Sequence, residues 1–335
     1  MHTYRGALLA GAALLVASQA LADDSSAALG AGGVVLTQSA DIRMAKEDLY
    51  VSPDKVRIHF EFANDSRKDI DTVVAFPLPD IDSAKYYVEP LGEMTDDPVN
   101  FVGFSVIADG KRIAPQVEQR AFLKGRDVTA ALNALHVPVN VISQTNIQIF
   151  DKLSPAQIKG LAKAGLADNS SGEARPTWLI RTKFFWTQKF PAGKTVVLKH
   201  SYQPITGGTF YVDSDIKGGS SDPYDRHWNR NYCIDSAALK TIAARIAPKD
   251  AKGDDGGTLE AKTTDYILMS GNNWKGPIGH FHLTLDKLKP ANILSLCWDG
   301  PLKKSGATTF SFDAADYAPA RDIHMLVLSD IPKNP

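Results

Sequence analysis

Asp48–Pro79, DLYVSPDKVRIHFEFANDSRKDIDTVVAFPLP, decides the fold class. Val56, Ile58, Phe60 and Phe62 alternate with Arg57, His59 and Glu61. Side chains on a strand point to opposite faces with a period of two, so this is a strand with one buried face. Asn64–Asp69 is a polar turn, and Ile70–Leu78 resumes an apolar, β-branched run. Pro77 and Pro79 cannot donate to a ladder and close the run. The expectation is a hairpin around which the other N-terminal strands pack.

Working outward, Val34–Thr37 and Ile42–Val51 read as strands before it. After it, Val99–Ala108 and Lys111–Leu123 flank Asp109-Gly110, a dipeptide favoured in two-residue hairpin turns. The period then changes. Asp127 precedes a short helical pattern to Ala134, and Ser154-Pro155-Ala156-Gln157 has the form of a capping box with Pro at the first helical position. Gly125–Arg175 is therefore expected to be a helical insertion. Strand patterns return at Thr177–Phe190, with Trp178, Ile180, Phe184 and Trp186 on one face, and at Thr195–Pro204. Asp235 is placed to cap a helix that ends near Ile246, and five further strand patterns run from Tyr266 to Leu328.

Strands with helices only as interludes make the chain mainly β, of β-sandwich type, with a short helical insertion and a smaller C-terminal β-rich region with one helix. The expected divisions are a signal peptide at 1–22, an N-terminal sandwich domain at 23–208 and a C-terminal β-rich domain at 209–335.

The first residues have the form of a leader: Arg5, an apolar run over Ala7–Ala17, and Ala20-Leu21-Ala22 before Asp23. The run is shorter than the roughly 20 residues that span a bilayer. Cleavage there is expected to leave a periplasmic or secreted protein, with no Cys at the new terminus to accept lipid. Loss of Arg5 leaves 36 basic residues against 38 acidic ones. With no polybasic run, nucleic acid and anionic lipid are not expected partners. Cys233 and Cys297 are the only cysteines, and in an exported chain they are expected to pair.

Several stretches resemble a known family. Ser25–Leu29, Gly33–Thr37, Ile42–Met44, Glu47–Ser52 and Phe76–Asp80 resemble a domain-of-unknown-function family, numbered 4424, of exported bacterial proteins. Tyr266–Leu268, Asn273–Ile278 and Leu296-Cys297 are similar to its C-terminal half. The resemblance implies compartment and fold, with no activity or catalytic residues attached. A weaker topological likeness is to the vault/inter-alpha-trypsin domain, a β-sandwich used for contacts; it rests on Phe76–Pro79 and Asp109–Arg112.

Chemistry is thinly marked. Ser52-Pro53-Asp54-Lys55 imitates an acylating Ser-x-x-Lys pattern, but it falls in a turn and has no companion motifs. His280 and His282 share a strand face, which would suit two metal ligands, yet no third is specified nearby. Asp213, Asp215 and Gly218 begin like a calcium loop, but Lys217 and Tyr224 stand where ligands belong. No cofactor or metal is expected. Asp213–Tyr232 mixes aromatics with hydrogen-bonding groups, as recognition surfaces do. Tyr224, Asp225, His227, Trp228 and Arg230, with Trp274 of the Asn272–Pro277 turn, are the candidate binding residues, and the two tryptophans are expected on neighbouring surfaces. With no nucleophile, base and oxyanion set assembled, the sequence favours a non-catalytic envelope protein that binds a partner, glycan or peptide through loops. The alternative is a hydrolase or metal-dependent enzyme acting on envelope polymers.

Overall fold

The computed structural model describes residues 24–30, 33–86, 92, 94–143, 146, 151–170, 173–216, 227–246 and 257–331. The leader expected at 1–22 falls outside them.

The strands, in chain order, begin with β1 (Ser25–Gly30), β2 (Gly33–Leu36), β3 (Ile42–Val51), β4 (Val56–Asn64), β5 (Ile70–Pro77), β6 (Ile81–Asp82) and β7 (Ser105–Ala108). Next come β8 (Lys111–Ile113), β9 (Gln116–Leu123), β10 (Arg126–Asp127), β11 (Ala167–Asp168), β12 (Arg175–Pro176), β13 (Leu179–Phe190) and β14 (Thr195–Tyr202). The last are β15 (Thr206–Tyr211), β16 (Leu259–Tyr266), β17 (Ile278–Asp286), β18 (Ile293–Ser295), β19 (Lys303–Lys304), β20 (Thr309–Tyr317) and β21 (Ile323–Asp330).

Among the described residues they form three main sheets. An eight-stranded sheet runs β19-β20-β17-β3-β4-β14-β7-β8, and a seven-stranded sheet runs β10-β9-β13-β5-β1-β2 with β6 also on β13. A four-stranded sheet runs β15-β16-β21-β18. The expected mainly β, sandwich-type fold is what the chain adopts. One apolar core joins all three sheets: Phe60, Phe62 and Leu198 from the first, Phe76, Phe184 and Phe190 from the second, Tyr266, Met325 and Val327 from the third. The far face of the four-stranded sheet carries a smaller core, in which Leu259, Leu326 and Leu328 meet Ile242 and Ile246 of the helix Ser236–Ile246.

The expected hairpin is corrected. β4 pairs with β3 and β14, whereas β5 pairs with β1 and β13 in the other sheet. The polar turn between them crosses from one layer to the next. Asn64 holds that crossing: its side-chain amide donates to the carbonyls of Lys68 and Phe190, and its carbonyl oxygen accepts from the Ser66 N–H. The division expected at residue 208 also fails to coincide with a division of the sheets, because β17 lies parallel to β3 and β20 extends the same sheet.

Other local expectations hold. Asp109 (φ 45°) and Gly110 (φ 82°) turn β7 into β8 in the left-handed region that such a tight turn requires. Ser154 accepts from the Gln157 N–H, and Gln157 Oε1 accepts from the Ser154 N–H, completing the capping box of the helix Pro155–Lys163. Asp235 accepts from the Ala238 N–H at the start of the helix Ser236–Ile246.

β3 carries an irregularity that matters below. Its pairing with β4 shifts register between Met44 and Lys46, so Ala45 is an extra residue. Ile42 and Met44 point inward before it, and Glu47, Leu49 and Val51 after it. The bulge thus reverses the parity of the strand, turning Asp48 and Tyr50 outward and Glu47 into the core. Room for the bulge comes from β17: a Cβ on Gly279 would stand 2.7 Å from the Ala45 carbonyl oxygen.

Candidate functional site

The sequence-nominated residues divide between two cores. Tyr224 and Asp225 lie outside the described residues. His227 (φ 46°) begins the short helix Trp228–Asn231, and Arg230 is exposed on it. Trp228 is buried, packed on Tyr211 and Tyr232 in the smaller core. Cys233 and Cys297 are disulfide-bonded, with Cα atoms 5.0 Å apart, and tether this helix to the segment after β18. Trp274 sits in the main core instead, its ring 4.6 Å from that of Phe62 and its indole N–H donating to the Asp24 carbonyl. The expectation that the two tryptophans share a surface is therefore corrected: each is a plug, because an indole buries more area folded inward than a polar turn can offer outside. The Trp274 turn does border a cleft of about 560 Å³ with Gln38, Lys275 and Asp316, where Lys275 pairs with Asp65 at 3.2 Å.

His280 and His282 lie on the outer face of β17, as their spacing implies, with Phe281 and Leu283 inward. Among the described residues no group of three or more His, Cys, Asp or Glu is arranged to hold a metal ion. Asp213 and Asp215 belong to a short helix, where Asp215 caps the Val212 N–H. Ser52 and Lys55 close a local turn on each other through Ser52 Oγ.

The eight-stranded sheet makes a site that no single stretch displays. In register across β17, β3, β4 and β14, His282 lies opposite Asp48, Asp48 opposite His59, and His59 opposite Lys199. Two residues along, Thr284, Tyr50, Arg57 and Ser201 form a second row. Directly opposed residues project to the same face, and the row between them (Leu283, Leu49, Ile58, His200) is buried beneath. The two outward rows line a groove of about 350 Å³.

Its side chains are held by one another. His282 Nδ1 lies 2.6 Å from Asp313 and its Nε2 3.2 Å from Thr284 Oγ1. Lys46 pairs with Asp48 at 3.0 Å, and the hydrogen bond to Asp48 raises the ammonium pKa. Tyr50 donates to Asp286 at 2.8 Å, while the Arg57 guanidinium lies 4.2 Å over the Tyr50 ring. Burial and that hydrogen bond push the Tyr50 hydroxyl pKa up, so it stays a donor. Burial acts upward on Asp286, but hydrogen bonds from the Leu288 N–H and Tyr50, with Arg57 nearby, hold it below the usual carboxylate range. The only hint of this groove in the sequence is that Arg57, His59 and His282 fall on outward positions.

Beneath the sheet is a second polar set, enclosed. The bulge puts Glu47 between Phe281 and Phe60, where Tyr266 Oη donates to it at 3.4 Å. Burial, more than the Tyr266 bond offsets, raises its pKa to about 8. His200 lies in a cage of Phe60, Phe76, Phe104 and Trp186 rings, with Nε2 3.5 Å from Asp24. That proximity would suit an ion pair. Complete burial argues otherwise, lowering His200 to about 3, so the imidazole is neutral near pH 7, and raising Asp24 well above its ordinary value.

The chain belongs to the family described as Domain of unknown function (DUF4424), whose model matches residues 22–326. Among curated proteins none matches it. A "putative nutrient binding protein" of Legionella pneumophila superposes with a TM-score of 0.45 at 15% identity, over 92% of this chain and 70% of that one. An M1 zinc metallopeptidase of Deinococcus radiodurans gives a TM-score of 0.22 at 8% identity, over 87% of this chain and 43% of that one. These likenesses are too low to bear on what the chain binds or catalyses.

Proposed function

We propose that this DUF4424 chain is an exported, non-catalytic binding protein whose ligand occupies the outer groove of the eight-stranded sheet. The observation that carries the reading is the registration of two polar rows from four adjacent strands around one concavity. Side chains on central strands are fixed by the ladder, and here they are further fixed by Asp313, Lys46, Asp286 and the Tyr50–Arg57 stack. Groups already ordered lose little entropy when a ligand arrives, which favours affinity. A groove of this volume suits a small molecule or the tip of a longer one. The leader-like N-terminus and the disulfide support export. No helix among the described residues is long and apolar enough to cross a membrane.

A thermal-shift screen of the mature chain against envelope sugars, amino acids and short peptides tests the reading. A ligand at 100 times its Kd adds about 2.7 kcal/mol to stability, enough to read as a raised Tm. Hits are expected to vanish in an Arg57→Ala/Lys199→Ala variant whose own Tm is unchanged. Hits that persist in that variant place the ligand elsewhere and overturn the assignment.

A further inference from the structure

The charges around the groove do not balance evenly. Asp48 is matched by Lys46 at 3.0 Å, Glu61 lies 3.7 Å from His59, and Asp313 lies 2.6 Å from His282. Asp286 accepts from Tyr50 and from the Leu288 N–H. Each carboxylate at the rim therefore has its partner. Two cations stand apart: among the described residues neither Arg57, which acts on Asp286 from beyond ion-pair distance, nor Lys199 makes an ion pair, and both are exposed.

Their placement is specific. Lys199 is paired with His59, and Arg57 stands two residues from His59 on the same face, so the two cations are diagonal neighbours on adjacent strands. Such diagonals put Cβ atoms about 7–8 Å apart, a separation that long side chains close around one anionic group. The Arg57 guanidinium lies 4.2 Å over the Tyr50 ring, a contact that restrains it without using its N–H donors. Nothing else in the groove uses those donors. Beside them Ser201 offers a hydroxyl, while Thr284, whose Oγ1 lies 3.2 Å from His282 Nε2, lines the far side of the groove.

We propose that the groove binds a small hydroxylated carboxylate, of the size and chemistry of a sugar acid, with its carboxylate held between Arg57 and Lys199. This rests on the groove being the binding site, and it deepens that reading by naming the ligand class. The fork of Arg57 meets both carboxylate oxygens, Lys199 adds a point charge, and the hydroxyl-bearing body lies beside Ser201. A neutral sugar would leave both cations without a counter-charge and gain only the weaker hydrogen bonds.

The test is an NMR titration of the ¹⁵N-labelled mature chain with four probes: glucuronate, galacturonate, glucose and glucose 6-phosphate. The expected result is that a uronate shifts amides of Tyr50, Arg57, His59 and Lys199, with affinity at least 10-fold above that of glucose. Affinity should fall as salt is raised from about 20 to 300 mM, since exposed charges are screened over about 10 Å at 0.1 M. Arg57→Gln and Lys199→Gln, each at an exposed position, should each weaken the uronate at least 10-fold and glucose much less, so that the preference for the uronate is lost. Glucose binding the groove as well as the uronates overturns the anion assignment and leaves the groove standing. Phosphate-ester binding without uronate binding overturns the carboxylate. No groove shifts with any probe defeat both the ligand class and the site.

Discussion

Replacing Trp274 separates a plug from a recognition residue. The indole is 3% exposed, wedged against Phe62 and Phe190, and its N–H donates to the carbonyl of Asp24 at the start of the described chain. Trp274→Ala removes the ring and leaves a cavity, a loss of about 3–5 kcal/mol for a buried Trp. Taking the donor from a buried carbonyl adds about 1–3 kcal/mol. The sum approaches the whole stability of an ordinary domain, about 5–15 kcal/mol, so Trp274→Ala is expected to accumulate poorly or to unfold at low denaturant. Trp274→Phe keeps most of the ring and loses the donor, and should cost about 1–3 kcal/mol. Urea unfolding followed by far-UV dichroism measures both, with m unchanged for the Phe variant. A Trp274→Ala protein within about 1 kcal/mol of wild type would refute the packing account and return Trp274 to the surface as a binding residue.

Breaking the Cys233–Cys297 bond with Cys233→Ser/Cys297→Ser opens a loop of 64 residues and should cost about 4 kcal/mol by loop entropy, read as a fall in the urea midpoint. Glu47 has a folded pKa raised to about 8, above its unfolded value, so its contribution is fully present below about pH 4 and is lost as pH rises through 8. Glu47→Gln, neutral at every pH, should gain on wild type between about pH 5 and 8 and level off above. A difference that stays flat in urea titrations across that range would show Glu47 to be no buried acid. Ser154→Ala removes one half of the capping box and should destabilise by about 1 kcal/mol, measurable as a small shift of the urea midpoint.

Faces are legible in this sequence and partners are not. The alternation Val56-Arg57-Ile58-His59-Phe60 names the inward residues of β4 correctly, because period two is a property of the backbone alone. Whether Asn64–Asp69 returns the chain beside itself or carries it to another layer depends on β14 and β13, more than a hundred residues on, and a polar turn serves either purpose. The groove is hidden for the same reason. Tyr50, Arg57, Lys199 and His282 meet only through register among four strands, one of them parallel, and each is an ordinary outward residue in its own stretch. Trp228 and Trp274 misled in the opposite direction: both sit in polar, turn-like sequence, but both are needed by cores whose other residues lie far off in the chain.

The extra residue at Ala45 and the bare backbone at Gly279 bear on descent. A homologous chain that keeps the insertion at 45 is constrained to glycine at 279, since any side chain there meets the Ala45 carbonyl at 2.7 Å. A chain that loses the insertion keeps the same inward set, because Glu47 then follows Met44 by two positions, and its position 279 is released to vary. The two sites, more than 230 residues apart in sequence, are thus expected to be inherited as a unit. Alanine at 279 would be deleterious in one genetic background and neutral in the other.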